Sequence, residues 1–157
     1  MQVKRIAGAL GAEIKGVDLG QILTPEISIA IRDLLNEHEV LFFRQQAIEP
    51  AQQRDLASIF GPLQTHPAYG TVAGIPEVMI LESTADKPSK IEVWHSDMTF
   101  RQHPPSVTVL RGMVIPNVGG DTLFASMTSA YDSLSEGMKI YLEGLVAVHD
   151  FAQGFRE

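Results

Sequence analysis

Short apolar runs, each bounded by glycine, proline or polar residues, limit the folds that this chain can adopt. Residues 40–43 (VLFF) and 107–115 have the length and composition of β-strands. Hydrophobic periodicity and capping residues predict helices at about 25–35, 50–60 and 129–145. Short strands are predicted to dominate the second half of the chain, and the helices are expected to pack outside them. This pattern predicts a mainly β fold with flanking helices, either a β-sandwich or a jelly roll.

Local signals mark where some of these elements begin. Thr24 can cap free N–H groups, and Pro25 fits the first helical position, where its missing donor costs nothing. Ser135 is a second capping residue, inside the last predicted helix. Weak alternation and short apolar runs predict further strands at residues 3–6, 12–15, 78–81 and 145–148.

The bulk composition is that of one globular domain and excludes several classes of function. The 157 residues are 45% hydrophobic and 20% charged, which suits one domain spanning 1–157 and argues against two. A net charge of −7 leaves no basic face for binding nucleic acid. The N-terminal residues lack the apolar core of a signal peptide, and no run approaches the roughly 20 apolar residues of a membrane span. We therefore expect a soluble, cytoplasmic protein with neither nucleic acid nor a membrane as partner.

One histidine and one aspartate, two residues apart, are the strongest candidates for chemistry. The chain has no cysteine, so any bound metal must have nitrogen and oxygen ligands. The segment 93–100 (VWHSDMTF) reads as a strand end, where side chains two positions apart point to the same face. His95 and Asp97 can thus bind one divalent metal, and a second histidine would complete the facial triad of non-haem iron oxygenases. Taken alone the triplet is a weak signal, because it also occurs by chance.

The sequence around this pair resembles the signature region of the taurine dioxygenase family. A tryptophan precedes the His-x-Asp pair, a Pro-Pro dipeptide follows it, and a Gly-Gly-Asp-Thr turn comes about one strand later. The similarity extends to residues 40–46, 52–61, 66–69 and 149–151, and so covers essentially the whole chain. The chain resembles the N-terminal half of a family member. The resemblance implies a double-stranded β-helix, the jelly roll, which is incomplete in this chain.

The resemblance also implies a metal and a cosubstrate. His95 and Asp97 match the first two ligands of Fe(II). Thr122 matches a threonine that hydrogen-bonds a carboxylate of 2-oxoglutarate, and a hydroxyl can donate to such an acceptor without adding charge. Thr122 follows Gly119 and Gly120, where the turn is expected to need positive φ. Without the resemblance, Thr122 would be read as an ordinary turn residue.

A substrate site is implied by three further matches. His66 and Tyr69 match positions that contact the polar ends of the substrate, and Phe155 matches an aromatic residue of the substrate pocket. The polar segment 82–92 (ESTADKPSKIE) has no periodicity and is expected to act as a mobile lid. Outside the family context, the first two would be ordinary loop residues and Phe155 a core or terminal residue.

The remaining histidines have simpler interpretations. His38 lies near the end of a predicted helix, where an imidazolium suits the helix dipole. His103 precedes two prolines and is expected to be exposed. His149 is interpreted as a structural residue of a strand.

The chain departs from the family pattern in two ways. Taurine-specific members have an asparagine four residues before the iron-binding histidine, and here that residue is Ile91. The exchange removes a polar partner for taurine and favours a more apolar substrate. Family members are also nearly twice as long, and their third iron ligand and 2-oxoglutarate-binding arginine lie in the half that has no match here.

These observations predict an Fe(II)- and 2-oxoglutarate-dependent dioxygenase that uses O2 to hydroxylate a small anionic molecule such as a sulfonate or sulfate ester. Two alternatives remain open. The chain can be a truncated, non-catalytic fragment that acts as a binding or assembly module, because an unclosed jelly roll leaves strand edges free. A zinc hydrolase at the same ligands is the weaker alternative, since no fixed general base is evident near the pair. Self-association into a homo-oligomer is also left open.

Overall fold

A computed structural model shows the fold of the chain over residues 1–84, 86–88 and 93–151. These residues form small sheets and short helices. In chain order the elements are β1 (Gln2–Arg5), β2 (Ala12–Lys15), α1 (Pro25–His38), β3 (Leu41–Phe43), α2 (Pro50–Ser58), β4 (Thr71–Val72), β5 (Ile75–Met79), α3 (Met127–Asp132) and α4 (Glu136–Leu142).

The chain divides into two compact units, each with its own core. Unit 1 combines Met1–Ala47 with Arg111–Ala147, and unit 2 combines Ile48–Leu110 with Val148–Glu157. Each unit therefore contains residues from two separate stretches of the chain. The single domain predicted over 1–157 stays a prediction.

The sheet of unit 1 has three strands in the order β1-β2-β3. Strands β1 and β2 are antiparallel, with Val3 opposite Ile14, whereas β2 and β3 are parallel, with Ala12 opposite Leu41. The parallel pair is possible because α1 provides the crossover connection that parallel strands need. The short strands predicted at 3–6 and 12–15, and the apolar strand VLFF, are thus confirmed.

Helix α1 begins where the sequence predicts, because Thr24 caps its first turn. The Ile27 N–H donates to the Thr24 hydroxyl oxygen over 3.4 Å. Ile31 of this helix and Ile14 of β2 are almost fully buried, and each such side chain contributes about 1.5–3 kcal/mol on burial. His38 is the last residue of α1, as its interpretation near a helix C-terminus requires.

The long helix predicted at 129–145 is instead two short helices, α3 and α4. Ser126 caps α3 by accepting from the Ser129 N–H, and Ser135 caps α4 by accepting from the Met138 N–H. The second cap is the predicted one. A serine that caps one helix must have a non-helical backbone, so Ser135 ends any continuous helix through this region.

Two strands predicted in the second half of the chain are absent from the described residues, where the last strand is β5. Residues 107–115 and 145–148 form no ladder within the described part of the chain, and residues 113–114 are bends. Their side chains are largely open to solvent, with 91% of Val114, 88% of Val146 and 93% of Val148 exposed. Composition predicts that a segment can be a strand, whereas a strand exists only where a neighbour completes its hydrogen bonds.

Unit 2 is built from α2 and the hairpin of β4 and β5. Helix α2 packs against β5, and Leu56 and Val78 from these two elements are buried. The predicted strand at 78–81 begins and ends earlier, as Ile75–Met79. The Gln53 side chain of α2 donates to the Val109 carbonyl oxygen over 3.1 Å, and so connects this helix to the segment around Val109.

Some expectations concern the chain as a whole. No helix in the described ranges is long and apolar enough to cross a membrane. Residues 85 and 89–92 lie outside the described residues, so the lid predicted at 82–92 stays a prediction. The incomplete jelly roll likewise stays a prediction.

Candidate metal centre

The backbone around the predicted ligands is a turn and not a strand. Residues 93–96 are irregular and 97–100 form a turn, so the expected strand end is wrong. Met98 has a φ of 50°, in the left-handed region that non-glycine residues rarely adopt. The Arg101 N–H donates to the Met98 carbonyl oxygen over 3.0 Å and closes the turn. This reversal directly after Asp97 replaces the expected strand geometry.

The two predicted ligand side chains nevertheless meet. The Nε2 atom of His95 lies 3.4 Å from the Oδ1 atom of Asp97. Both side chains remain about half exposed, at 53% and 47%. The pair can therefore be reached from solvent.

A backbone hydrogen bond orients the imidazole of His95. Its Nδ1 atom lies 2.8 Å from the Val93 carbonyl oxygen. Because a carbonyl only accepts, the hydrogen of the neutral ring must be on Nδ1. The lone pair is then on Nε2, the nitrogen that faces Asp97, which is the arrangement of a metal-binding histidine.

The carboxylate of Asp97 has a partner on its other oxygen. The Thr108 hydroxyl donates to Oδ2 over 2.7 Å, while Oδ1 faces His95. Two atoms with lone pairs, Nε2 and Oδ1, thus lie face to face. Such an arrangement is favourable only with a positive charge between them, either a proton or a cation.

The donor set fits a divalent first-row metal. Ligand atoms bound at about 2.1 Å and at right angles to each other lie roughly 3 Å apart, close to the observed 3.4 Å between His95 and Asp97. One imidazole and one carboxylate are two of the three ligands of a facial iron site. No group of three or more histidine, aspartate or glutamate side chains suited to a metal occurs within the described ranges. The pair is therefore an incomplete site by itself.

A cavity of about 300 Å³ lies beside this pair. Hydroxyl groups and prolines form most of its wall. The lining residues are Ser96, Asp97, Thr99, Pro104, Pro105, Ser106, Val107 and Thr108.

His66 is held as a neutral ring with one defined tautomer. The Ala68 N–H donates to its Nδ1 atom over 3.1 Å, so Nδ1 is an acceptor and Nε2 carries the hydrogen. Burial lowers the pKa of His66 below its ordinary value, the Arg101 guanidinium lowers it further, and the Asp97 carboxylate acts in the opposite direction. A neutral His66 can donate one hydrogen bond through Nε2 without carrying a charge.

Four rings of unit 2 form an aromatic cluster, made of His66, Tyr69, Phe100 and Phe151. The centroid of His66 lies 4.6 Å from that of Tyr69 and 5.6 Å from that of Phe151. Phe100 and Phe151 stack at 4.4 Å, and Phe100 also meets His66 edge to face at 6.5 Å. The structure thus places the two predicted substrate residues, His66 and Tyr69, side by side in an aromatic environment.

Two hydrogen bonds connect the turn after Asp97 to other parts of unit 2. The Arg101 guanidinium donates to the Thr65 carbonyl oxygen over 2.8 Å and to Gln64 Oε1 over 3.3 Å. His149 Nδ1 lies 2.9 Å from the hydroxyl of Thr99. No strand includes His149 within the described residues, so the strand predicted there is wrong, and the structural role of His149 stays a prediction.

The roles of Thr122, Phe155 and Ile91 stay predictions. Thr122 belongs to unit 1, where it is exposed after Gly119 and Gly120, whose φ values of 78° and 72° confirm the expected turn. Its contact with a cosubstrate stays a prediction. Phe155 and Ile91 lie outside the described residues, so their roles also stay predictions.

Sequence reasoning missed several residues that the structure places at the site. Thr108 contacts Asp97 from eleven positions away, and no motif has that spacing. Arg101, Phe100 and Phe151 lie in segments that resemble the family, but their contacts join distant parts of the chain. For Phe100 and Arg101 the available signal was their position directly after the ligand pair.

Comparisons with known proteins show where the chain belongs. The model of the family described as taurine catabolism dioxygenase TauD, TfdA matches residues 2–157. An alkylsulfatase of Acinetobacter baylyi is 39% identical over 150 residues, which are 95% of this chain and 47% of that protein. An alpha-ketoglutarate-dependent sulfate ester dioxygenase of Pseudomonas putida is 34% identical, over 95% of this chain and 49% of that protein.

A solved structure shows the same relationship. The taurine dioxygenase from Burkholderia xenovorans superposes with a TM-score of 0.82 at 36% sequence identity, over 96% of this chain and 53% of that one. The chain thus spans about half the length of the relatives that it matches. Since the family model matches nearly every residue, the chain belongs to the taurine catabolism dioxygenase TauD, TfdA family.

Proposed function

We propose that the intact protein is an Fe(II)- and 2-oxoglutarate-dependent dioxygenase that hydroxylates a small anionic organic molecule. The observation that carries this proposal is the pairing of His95 Nε2 with Asp97 Oδ1 at 3.4 Å in a member of this family. Bound Fe(II), together with 2-oxoglutarate, supplies the activation of O2, with succinate and CO2 as coproducts. The chain supplies ligands, orientation and a shaped site.

His95 and Asp97 would hold the iron. The Val93 carbonyl orients the imidazole and the Thr108 hydroxyl orients the carboxylate. Ligands that are oriented in advance lose less conformational entropy on binding. The third ligand would come from outside the described residues, as the family resemblance implies.

Thr122 would orient 2-oxoglutarate. Its exposed hydroxyl can donate to a carboxylate oxygen. A single neutral donor holds a carboxylate weakly, and so the arginine that the family resemblance implies would provide the charged contact. The two positive φ angles before Thr122 support a defined turn at this position.

The substrate site would combine a polar contact with an aromatic wall. Neutral His66 would donate from Nε2 to an anionic oxygen of the substrate, with Tyr69 beside it. Phe100 and Phe151 would contact the apolar part of the substrate, and Phe155 would extend this wall. Aromatic side chains of this kind bind hydrocarbon and also exclude water from the reacting carbon.

A sulfate ester or sulfonate with an apolar chain is the substrate class that these features favour. The relatives named as an alkylsulfatase and a sulfate ester dioxygenase support the choice, as does Ile91 in the sequence. Hydroxylation of the carbon that carries the sulfate oxygen gives an unstable product. That product collapses to an aldehyde and releases the sulfate.

The fold of the intact protein would be a jelly roll. The match to half of a taurine dioxygenase at a TM-score of 0.82 supports this architecture. Exposed apolar residues in the segments predicted as strands, such as Val114 and Val146, are in keeping with strands that acquire a neighbour.

The exposed apolar segments also favour one second candidate, a non-catalytic assembly module. Residues such as Val118 and Val148 are at least 90% exposed, which is costly unless another surface covers them. A purely structural module does not require a histidine and an aspartate that are oriented as metal ligands, as His95 and Asp97 are. The two functions therefore differ in one respect: a dioxygenase requires metal binding at His95 and Asp97, whereas an assembly module does not.

Turnover separates these candidates. Intact protein with Fe(II), ascorbate and 2-oxoglutarate is expected to consume O2 and form succinate when an alkyl sulfate is added. The His95→Ala variant is expected to lose this reaction, whereas His103→Ala, which removes an imidazole elsewhere in unit 2, keeps it. Equal succinate formation with and without His95, or none in the wild type, would refute the dioxygenase proposal.

A further inference from the structure

The hydroxyl of Thr108 contacts one oxygen of the Asp97 carboxylate and leaves the other free. The Oγ1–Oδ2 distance of 2.7 Å is in the range of a charge-assisted hydrogen bond. We propose that Thr108 is a positioning residue that presents Oδ1 of Asp97 to the metal. This inference rests on the proposed metal site.

Rotation of the carboxylate is the freedom that this contact removes. The second side-chain torsion of aspartate is broad and two-fold, so its two oxygens can exchange places at little cost. A half-exposed carboxylate such as Asp97 can also turn toward water. With Oδ2 held by Thr108, only Oδ1 can face His95.

The imidazole of His95 is oriented in the same way. The Val93 carbonyl accepts from Nδ1 of His95 and leaves Nε2 free. Each ligand thus has one atom held by the protein and one atom that faces its neighbour. The imidazole is held by backbone that immediately precedes it, whereas the carboxylate depends on a residue eleven positions further along the chain.

Helix α2 anchors the segment that carries Thr108. The next residue, Val109, accepts from the Gln53 side chain over 3.1 Å. Gln53 belongs to α2, which packs against β5. The Thr108 hydroxyl is therefore held by the framework of unit 2, although its side chain is exposed and lines the cavity beside Asp97.

Two substitutions separate the effect of the Thr108 hydroxyl from the effect of its side-chain volume. Thr108→Val keeps the volume and removes the donor, so Oδ2 faces a methyl group and the carboxylate is free to turn. Thr108→Ser keeps the donor and loses only a methyl group. Loss of an outer hydrogen bond to a metal ligand typically lowers metal affinity by about 10–100-fold, and we expect this loss for T108V but less than about threefold for T108S.

The matched control is Ser106→Ala. Ser106 lines the same cavity in the same segment, and its removal takes away a hydroxyl that does not contact Asp97. We expect S106A to bind metal as the wild type does.

The experiment is a titration of the intact, metal-free protein with Mn(II) alone. The electron paramagnetic resonance signal of free Mn(II) measures the affinity at each step. Melting of the metal-free proteins shows whether each variant folds. If T108V does not fold, Thr108→Ala replaces it, with weaker Mn(II) binding than T108S expected. Affinity lost in T108V and retained in T108S and S106A supports the proposal.

Wild-type affinity in the donor-free variant, or equal losses in T108S and T108V, would overturn it. The same titration of His95→Ala and Asp97→Ala distinguishes a failure of the proposed metal site from a failure of the proposed role of Thr108. If these variants bind Mn(II) like the wild type, the metal site itself is wrong. If they lose Mn(II) while T108V keeps it, only the role of Thr108 is wrong.

Discussion

Arg101 donates to the Thr65 carbonyl oxygen over 2.8 Å and so ties the turn after Asp97 to the loop that carries His66. The same guanidinium contacts Gln64 and lowers the pKa of His66. One side chain therefore couples the position of the metal-ligand turn to that of the proposed substrate loop.

Removal of Arg101 is expected to weaken substrate binding more than turnover. Without its two hydrogen bonds, the loop at 64–66 loses contacts of about 1.5–3 kcal/mol each when the donor is charged. In the intact protein we expect Arg101→Ala to raise KM about tenfold with a smaller change in kcat. Steady-state kinetics with an alkyl sulfate measures both, and Arg32→Ala on α1 is the control. A fall in kcat at constant KM would contradict this role.

His66 makes stability depend on pH in a predictable direction. Its pKa is lowered in the folded protein, so the unfolded chain binds more protons just below the ordinary value of about 6.5. Stability is therefore complete above about pH 6.5 and is lost as the pH falls through the folded-state pKa. Thermal melting across this range, compared with His66→Asn, measures the effect. A variant with the same pH dependence as the wild type would exclude His66 as its source.

Arg101 is expected to influence the pKa of His66. Because its charge lowers the pKa of His66, Arg101→Ala should raise that pKa toward the ordinary value. Proton NMR of the imidazole across a pH series measures the change directly. A pKa that stays the same or falls in the variant would show that the guanidinium does not act on His66.

Met98 lies where its backbone conformation is unfavourable. Its φ of 50° is especially poor for a β-branched side chain. Met98→Val is therefore expected to lower the free energy of unfolding by about 1–2 kcal/mol, whereas Met98→Gly changes it by less than about 1 kcal/mol. Urea unfolding of the intact protein measures both. The control is Met113→Val, at an exposed methionine that is not among the positive-φ residues, and it should leave the free energy of unfolding nearly unchanged. An equal loss of stability at both positions would show that backbone conformation is not the cause.

Taurine is expected to be a poor substrate. The position that holds a substrate-binding asparagine in taurine-specific members is Ile91, and the aromatic cluster offers an apolar surface. Steady-state kinetics with taurine and a series of alkyl sulfates and sulfonates measures the preference. A higher kcat/KM for taurine than for every apolar analogue would reject the proposed substrate class.

Local signals in the sequence predicted local structure well. Thr24 and Ser135 cap helices as expected, because a cap depends on residues three positions away. The strand at Leu41–Phe43 followed from its apolar composition. The segments at 107–115 and 145–148 failed as strands because pairing depends on a neighbour, which composition does not reveal.

The candidate site was predictable only in part for the same reason. The approach of His95 to Asp97 agreed with the expectation, although a turn at Met98 and not a strand provides the geometry. Thr108 and Arg101 act over many positions in sequence, and only the folded chain shows those contacts.

Binding of Fe(II) and 2-oxoglutarate by His95 and Asp97 is tested most directly by visible absorbance under anaerobic conditions. The intact protein should develop a metal-to-cosubstrate charge-transfer band when both are added. The band should be absent in His95→Ala and Asp97→Ala, and present in the matched controls His103→Ala and Asp33→Ala. A band of wild-type intensity in either ligand variant would contradict the assignment of the metal centre.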